Sequence, residues 1–125
     1  MTAASDAVAQ LAHQYFWGWQ EGNWTQLRGT LAADVEFEDP SLGSVEGIDA
    51  HVALYADDKR FPDRTGVAMR RLAYSDDAAF ISYDVYLGHW RKLTVIDQLS
   101  VSDGRIVHVL SVADEWPSRT PPTDG

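Results

Sequence analysis

Between Val8 and Trp19 the apolar residues Val8, Leu11, Ala12, Tyr15 and Trp19 recur at intervals of three and four, which gathers them on one face of a helix. Ser5 and Asp6 supply cap candidates in front of it, and the run Gln20–Asn23, "QEGN", ends it. Asn23 can cap a second, short helix with Trp24, Leu27 and Leu31 on its apolar face, running out near Ala33. The period then changes to two. In "DVEFEDP" Val35, Phe37 and Asp39 fall on one strand face and Glu36 and Glu38 on the other, until Pro40 interrupts the ladder. "SLGSVEG" has the composition of a loop, and Ile48, Val52 and Tyr55 mark a third helix to about Ala56.

The charged, proline-containing "DDKRFPDRTG" is expected to be a surface connection. Beyond it four strands are predicted, over Val67–Tyr74, Ala79–Gly88, Leu93–Val101 and Arg105–Ala113, separated by the turn signals "SDD", "GHWRK" and "SDG". Three N-terminal helices followed by an antiparallel meander make an α+β chain with its helices gathered on one face of a sheet. If that sheet is strongly curved, it wraps the helices and leaves an internal pocket. One domain over residues 1–116 is expected, and the proline-rich stretch 117–125 is expected to form a loosely held tail.

Composition narrows the partners. Nineteen acidic against ten basic residues give a net charge of −9, which disfavours nucleic acid and anionic membranes. With no cysteine, the chain has neither disulfides nor thiolate chemistry, and no apolar run reaches the length of a bilayer. With no basic region followed by an apolar stretch near Met1, a cytoplasmic location is expected. His13, His51, His89 and His108 lack metal-ligand spacing, so no metal is expected. His108 is placed inward with Ile106 and Leu110, and His89 with Trp90 in a strand connection at the surface. Trp17, Trp19 and Trp24 are assigned to helix packing, and Trp116, just after the last strand, to the pocket mouth or a dimer interface. Serine-hydrolase elbows, phosphate-binding loops and dinucleotide turns are absent.

Two positions break the pattern. In "LTVIDQLSV" Asp97 lies in the apolar row Leu93, Val95, Leu99 and Val101, and Asp39 follows Val35 and Phe37 inward. A carboxylate in such surroundings is costly unless it is neutral, paired or hydrogen-bonded. The structural alternatives are an ion pair of Asp97 with Arg71, which shares the Val67, Met69, Ala73 row, and a turn-capping role for Asp39. The chemical alternative joins both acids to Tyr15 from the first helix. A neutral carboxyl and a phenol can together donate to one developing oxyanion while an ionised carboxylate moves a proton beside it, with no cofactor required.

"YFWGWQEGNWTQLRGTLAADVEFEDPSLGSVEG" resembles the opening of the cone-shaped NTF2-like, or SnoaL-like, superfamily and is particularly similar to ketosteroid isomerase. The similarity runs from about Val8 to Ala113. It implies that Tyr15 and a protonated Asp97 form the oxyanion hole and that Asp39 of "FEDP" is the base, in a cofactor-independent shift of a C=C bond in a steroid or polyketide-like ketone. Tyr55 falls where the isomerase has a pocket aromatic. Phe37, Val95, Leu99 and Trp116 complete the expected substrate contacts, and a homodimer paired through the outer sheet face is implied. The "DDKRFPDRTG" segment and the Arg91–Lys92 turn depart from that family's corresponding stretches. A SnoaL-like polyketide cyclase, an epoxide hydrolase and a non-catalytic small-molecule-binding domain remain alternatives on the same fold.

Overall fold

The computed structural model describes residues 3–40, 43–57, 60–61, 64–88 and 91–114. The expected tail, Trp116 and the His89–Trp90 pair lie outside them. Helix α1 spans Ala3–Glu21 and buries Val8, Ala12, Tyr15, Phe16 and Trp19. Trp17, half a turn away, is 39% exposed, so it contributes to the surface and not to the packing predicted for it. Gly22, at φ 73°, ends the helix, a left-handed position where a side chain would be strained.

Helix α2, Trp24–Thr30, is capped as expected by the Asn23 side chain, which accepts from Gln26 N at 3.1 Å. It stops three residues earlier than its apolar spacing suggests. Leu31 is already extended (φ −103°, ψ 141°) and pairs with Ile106, so strand pairing takes the segment from the helix. The two helices cross closely at Gly18, where a Cβ would lie 3.2 Å from Leu27 N.

Six strands form one sheet: β1 Leu31–Asp39, β2 Gly43–Glu46, β3 Arg64–Tyr74, β4 Ala78–Leu87, β5 Arg91–Ser102 and β6 Arg105–Ala113, in the order β2-β1-β6-β5-β4-β3. The meander β3 to β6 is antiparallel as predicted. Among the described residues β1 to β6 is the one parallel pairing, and "SLGSVEG", expected to be a loop, holds the short β2, antiparallel to β1. Four partners on β1 give β2 its place, too few for its own alternation to announce a strand. Helix α3, Ile48–Ala56, follows and packs against β1.

The sheet is curved, and its ladder is interrupted where it bends: on β3 near Arg64/Gly66 and Met69/Arg71, on β1 between Leu31 and Glu36, and between β5 and β6 at Ser100/Val101. Each interruption can reverse which face a side chain takes. On β3, Met69 pairs with Tyr83 and Arg71 with Ser82, leaving Arg70 as an extra residue. Arg71 therefore points outward and is exposed, and it does not pair with Asp97. On β6, Ser100 pairs with His108 and Val101 with Ile106, so the buried residues are Ile106, Val109 and Ser111. His108 is on the outer side, with its Nε2 2.6 Å from Glu38 Oε2. Neither His108 nor Leu110 has the inward position that a strict alternation assigns it.

Candidate active site

The helices lie in the concavity of the sheet, and the inward rows of β1 and β5 meet them there. Both rows are as the alternation predicts: Val35, Phe37 and Asp39 on β1, and Val95, Asp97 and Leu99 on β5, are all buried. Asp97 is fully buried, whereas Asp39, at the C-terminal end of β1, keeps 8% exposure. Tyr15 of α1 and Tyr55 of α3 are buried beside them. The interior thus gathers Asp39, Asp97, Tyr15, Tyr55, Phe37, Val95 and Leu99. It also gathers four polar residues that the sequence reading did not place there: Arg60, His51, Tyr83 and Ser111.

Arg60 is the hub. Its backbone N–H donates to Leu54 O at 3.0 Å, which holds it just beyond α3, and its side chain is 2% exposed. The guanidinium lies over the rings of Phe37 (4.9 Å), Phe61 (4.6 Å) and Tyr55 (5.7 Å). Nε and Nη2 donate to Asp39 Oδ2, both at 3.3 Å, Nη1 to the hydroxyls of Tyr55 (3.0 Å) and Tyr83 (3.3 Å), and Nη2 also to Ser111 Oγ. These five bonds use the whole guanidinium fork. Tyr83 in turn donates to Asp97 Oδ2 at 2.9 Å. Tyr15 Oη lies 3.3 Å from Tyr55 Oη and 2.8 Å from His51 Nε2. Eight side chains from α1, α3, β1, β4, β5, β6 and the segment after α3 therefore form one buried network.

Burial dominates its electrostatics. It raises the Asp97 carboxyl above the ordinary carboxylate value, although the Arg60 charge and the hydroxyls of Ser111 and Tyr83 oppose it. Asp97 Oδ1 is buried without a hydrogen-bond partner. Burial pushes Tyr15 and Tyr83 far above the phenol range, helped by the nearby Asp97, so both stay protonated as donors. The His51 imidazole is driven down to about 3, first by burial and then by Arg60, which makes it neutral at any physiological pH. Burial also weighs against the charge on Arg60, but the surrounding phenols and acids outweigh it and its pKa is raised. Among the described residues no group of three His, Asp or Glu side chains is arranged to hold a metal ion.

The SnoaL-like domain family model matches residues 12–109. The chain belongs to that family. Solved structures place this SnoaL-like domain among NTF2-like folds. A Kribbella flavida protein provisionally named a ketosteroid isomerase is 23% identical, with a TM-score of 0.78 over 97% of this chain and 85% of its own. A Jannaschia protein provisionally named a SnoaL-like polyketide cyclase is 16% identical (TM-score 0.79, 91% and 90% covered). A Mesorhizobium loti NTF2-like protein of unknown function is 18% identical (TM-score 0.80, 92% and 97% covered). No curated protein matches the chain. One fold carries such different names, so the chemistry of this SnoaL-like domain depends on its own side chains.

Of the residues singled out for the site, Asp39, Tyr15, Asp97, Tyr55, Phe37, Val95 and Leu99 all face the interior, and Trp116 lies outside the described residues. The surface reading of "DDKRFPDRTG" is overturned at Arg60 and Phe61, both buried. Charge and proline content describe a loop well, but a loop has no period from which one inward side chain can be read. His51 and Tyr83 did leave a signal. His51 completes the helical set Ile48, His51, Val52, Tyr55, and Tyr83 follows Ala79 and Ile81 along β4. Ser111 left none, because the irregularity in β6 reverses its face.

Proposed function

We propose that this SnoaL-like domain is a cofactor-independent acid–base enzyme that moves a proton next to the carbonyl of a hydrophobic ketone, a steroid or polyketide-like ring system. Asp39, at the C-terminal end of β1 and paired with Arg60, takes the proton from the carbon beside the carbonyl and returns it to the far end of the dienolate. The oxygen that becomes negative is held by protonated Asp97 and Tyr15. The observation that carries the reading is Asp97: a fully buried carboxyl, biased towards its neutral form, with Oδ1 unpartnered and with Asp39 on the other side of one arginine. A neutral carboxyl in a water-excluded interior is a strong donor to a developing oxyanion.

The test is conversion of a β,γ-unsaturated ketone to its conjugated isomer, followed by ultraviolet absorbance. Asp39→Asn is expected to lower kcat/KM by about 10²–10⁴, the usual contribution of a positioned general base. If the wild-type protein leaves the ketone unconjugated, or the variant turns over at the wild-type rate, the isomerase reading falls. One observation favours a second reading. Arg60 pairs directly with Asp39 and reaches the neutral-leaning Asp97 through Tyr83, the arrangement by which a cyclase or epoxide hydrolase would activate a nucleophile with Asp39 and protonate the opposite oxygen with Asp97. Turnover of an epoxide or a polyketide-like ring precursor, with the ketone untouched, would select it.

The expected homodimer has a candidate face. Ile96 (49% exposed) and Val112 (45%) are partners across β5 and β6 on the outside of the sheet, with Phe80 and Tyr86 of β4 also exposed there. That much apolar surface on one face supports pairing of two copies. Replacing both Ile96 and Val112 with Lys is expected to convert a dimer to a monomer in size-exclusion chromatography with light scattering. A wild-type protein that is already monomeric at the same concentration would contradict the pairing.

A further inference from the structure

Hydrogen bonds have direction, and this network contains one member that can only give. All five N–H groups of Arg60 are engaged, and the oxygens of Tyr55, Tyr83 and Ser111 are on the receiving side. Each hydroxyl that accepts from Arg60 is left with its own proton to place. Tyr83 gives its proton to Asp97. The Tyr55 hydroxyl has Tyr15 Oη within reach at 3.3 Å, and Tyr15 then has His51 Nε2 at 2.8 Å.

Two ways of running this branch are conceivable, and counting partners separates them. If Tyr55 gives to Tyr15 and Tyr15 gives to His51 Nε2, every hydroxyl proton has an acceptor, and the ring proton of neutral His51 is on Nδ1. If His51 gives from Nε2 instead, then whichever of Tyr15 and Tyr55 donates to the other, one of the two oxygens accepts twice and its own proton has no acceptor. The first arrangement strands one group and the second strands two, at about 1–3 kcal/mol for each buried unsatisfied group. His51 Nδ1 is indeed buried without a partner, as is the Nε1–H of Trp19, whose ring stacks on Tyr55 at 4.7 Å. Buried N–H groups without an acceptor are rare in native interiors.

We propose that Arg60 sets the direction of this network, that His51 is therefore the neutral Nδ1–H tautomer, and that this buried N–H binds an acceptor oxygen of the substrate. On this account the Tyr15 hydroxyl gives to His51 Nε2 while the site is empty and turns to the substrate oxygen when one binds, and His51 is a substrate-binding residue additional to Tyr15, Asp39 and Asp97. Trp19, a donor with no acceptor of its own, neighbours the same Tyr55 ring. The ligand class that answers such an interior is a hydrophobic molecule carrying more than one acceptor oxygen. The ligand half of the inference rests on the acid–base reading above, whereas the tautomer does not.

Nitrogen-15 NMR of histidine-labelled protein separates the two. In the ligand-free wild type, His51 is expected to show a protonated Nδ1 and an unprotonated Nε2 across the neutral pH range. In the double variant Asp39→Asn/Arg60→Met, which removes both charges of the pair together, Tyr55 no longer receives from Arg60 and the Nε2–H form should gain population. Addition of 2,6-dihydroxynaphthalene as probe, an apolar ring system with two acceptor oxygens, is expected to shift the Nδ1–H resonance. His51→Gln, which reaches Tyr15 but has no donor in the Nδ1 position, should bind the probe about 10-fold more weakly, and His51→Asn, which keeps that donor, should lose less, in line with one hydrogen bond. An Nε2–H tautomer in the wild type overturns the inference even if the enzyme is active. An Nδ1–H tautomer in a protein that isomerises no ketone leaves the network's direction standing and removes the acid–base reading. A probe that leaves Nδ1 unperturbed, or equal affinities of the two variants, removes His51 from the binding site.

Discussion

Replacing Arg60 with Met is expected to destabilise the protein by about 3–5 kcal/mol, the cost of removing one partner from a buried ion pair. For a chain of 125 residues that corresponds to a drop in Tm of roughly 10 °C or more. The cause is what the substitution leaves behind. Asp39 Oδ2 loses two guanidinium bonds, Tyr55, Tyr83 and Ser111 each lose a donor, and Asp97 loses the charge that opposes its burial. Methionine replaces most of the volume and keeps contact with Phe37 and Phe61, so packing contributes little to the loss. The diagnostic is non-additivity. Asp39→Asn/Arg60→Met should recover a large part of the stability lost by Arg60→Met alone, because Asp39 is no longer left as a carboxyl without its cation. Thermal unfolding of the single and double variants measures this directly, and equal losses in the two would show that Arg60 acts through packing and not through charge.

Asp97→Asn is expected to change the pH dependence of stability and to lower activity. Unfolded, the carboxyl titrates near 3.8; folded, burial moves it upward. Between those two values the native state binds more protons than the unfolded state, so stability falls with rising pH across that interval. The contribution is fully present below the unfolded value and has gone above the folded one. Asparagine carries no such proton, and its stability relative to wild type should rise as pH increases from about 4 and level off once Asp97 has ionised. Urea unfolding of both proteins from pH 4 to 8 reads the difference. A variant that loses stability relative to wild type as pH rises would mean that ionised Asp97 is stabilised by Arg60, Tyr83 and Ser111 beyond the cost of its burial. The acid–base reading expects kcat to fall by up to about 10²–10³, the range for one oxyanion donor, and less for Asn than for Ala because the amide can still donate.

The relation between these residues follows from where the strand ladder is continuous. Along β5 the pairing with β4 runs without a shift from Arg91 to Ser100, and there the alternation of Val95, Asp97 and Leu99 in the sequence is the alternation in space. On β1 the buried row Val35, Phe37 and Asp39 also keeps its alternation, with a regular ladder from Glu36 to Asp39. Where the sheet bends, an extra residue enters one strand and the alternation reverses beyond it. A strict period puts Arg71 and Leu110 in the interior and Ser111 outside it, and the bulged strands do not keep that period. The bulges that curve the sheet around its helices are thus also what hides part of the site from a linear reading.

By itself, the sequence determined the α+β class, the order of helices and meander, and the inward direction of Tyr15, Asp39 and Asp97, since each of these follows from local periodicity and capping. Only the tertiary structure decided what those groups meet. Arg60 comes from a segment with no period, His51 from a helix face whose partner is in another element, and Tyr83 and Ser111 from strands remote in sequence. Their convergence depends on the curvature of the whole sheet, a property that no short stretch of chain contains.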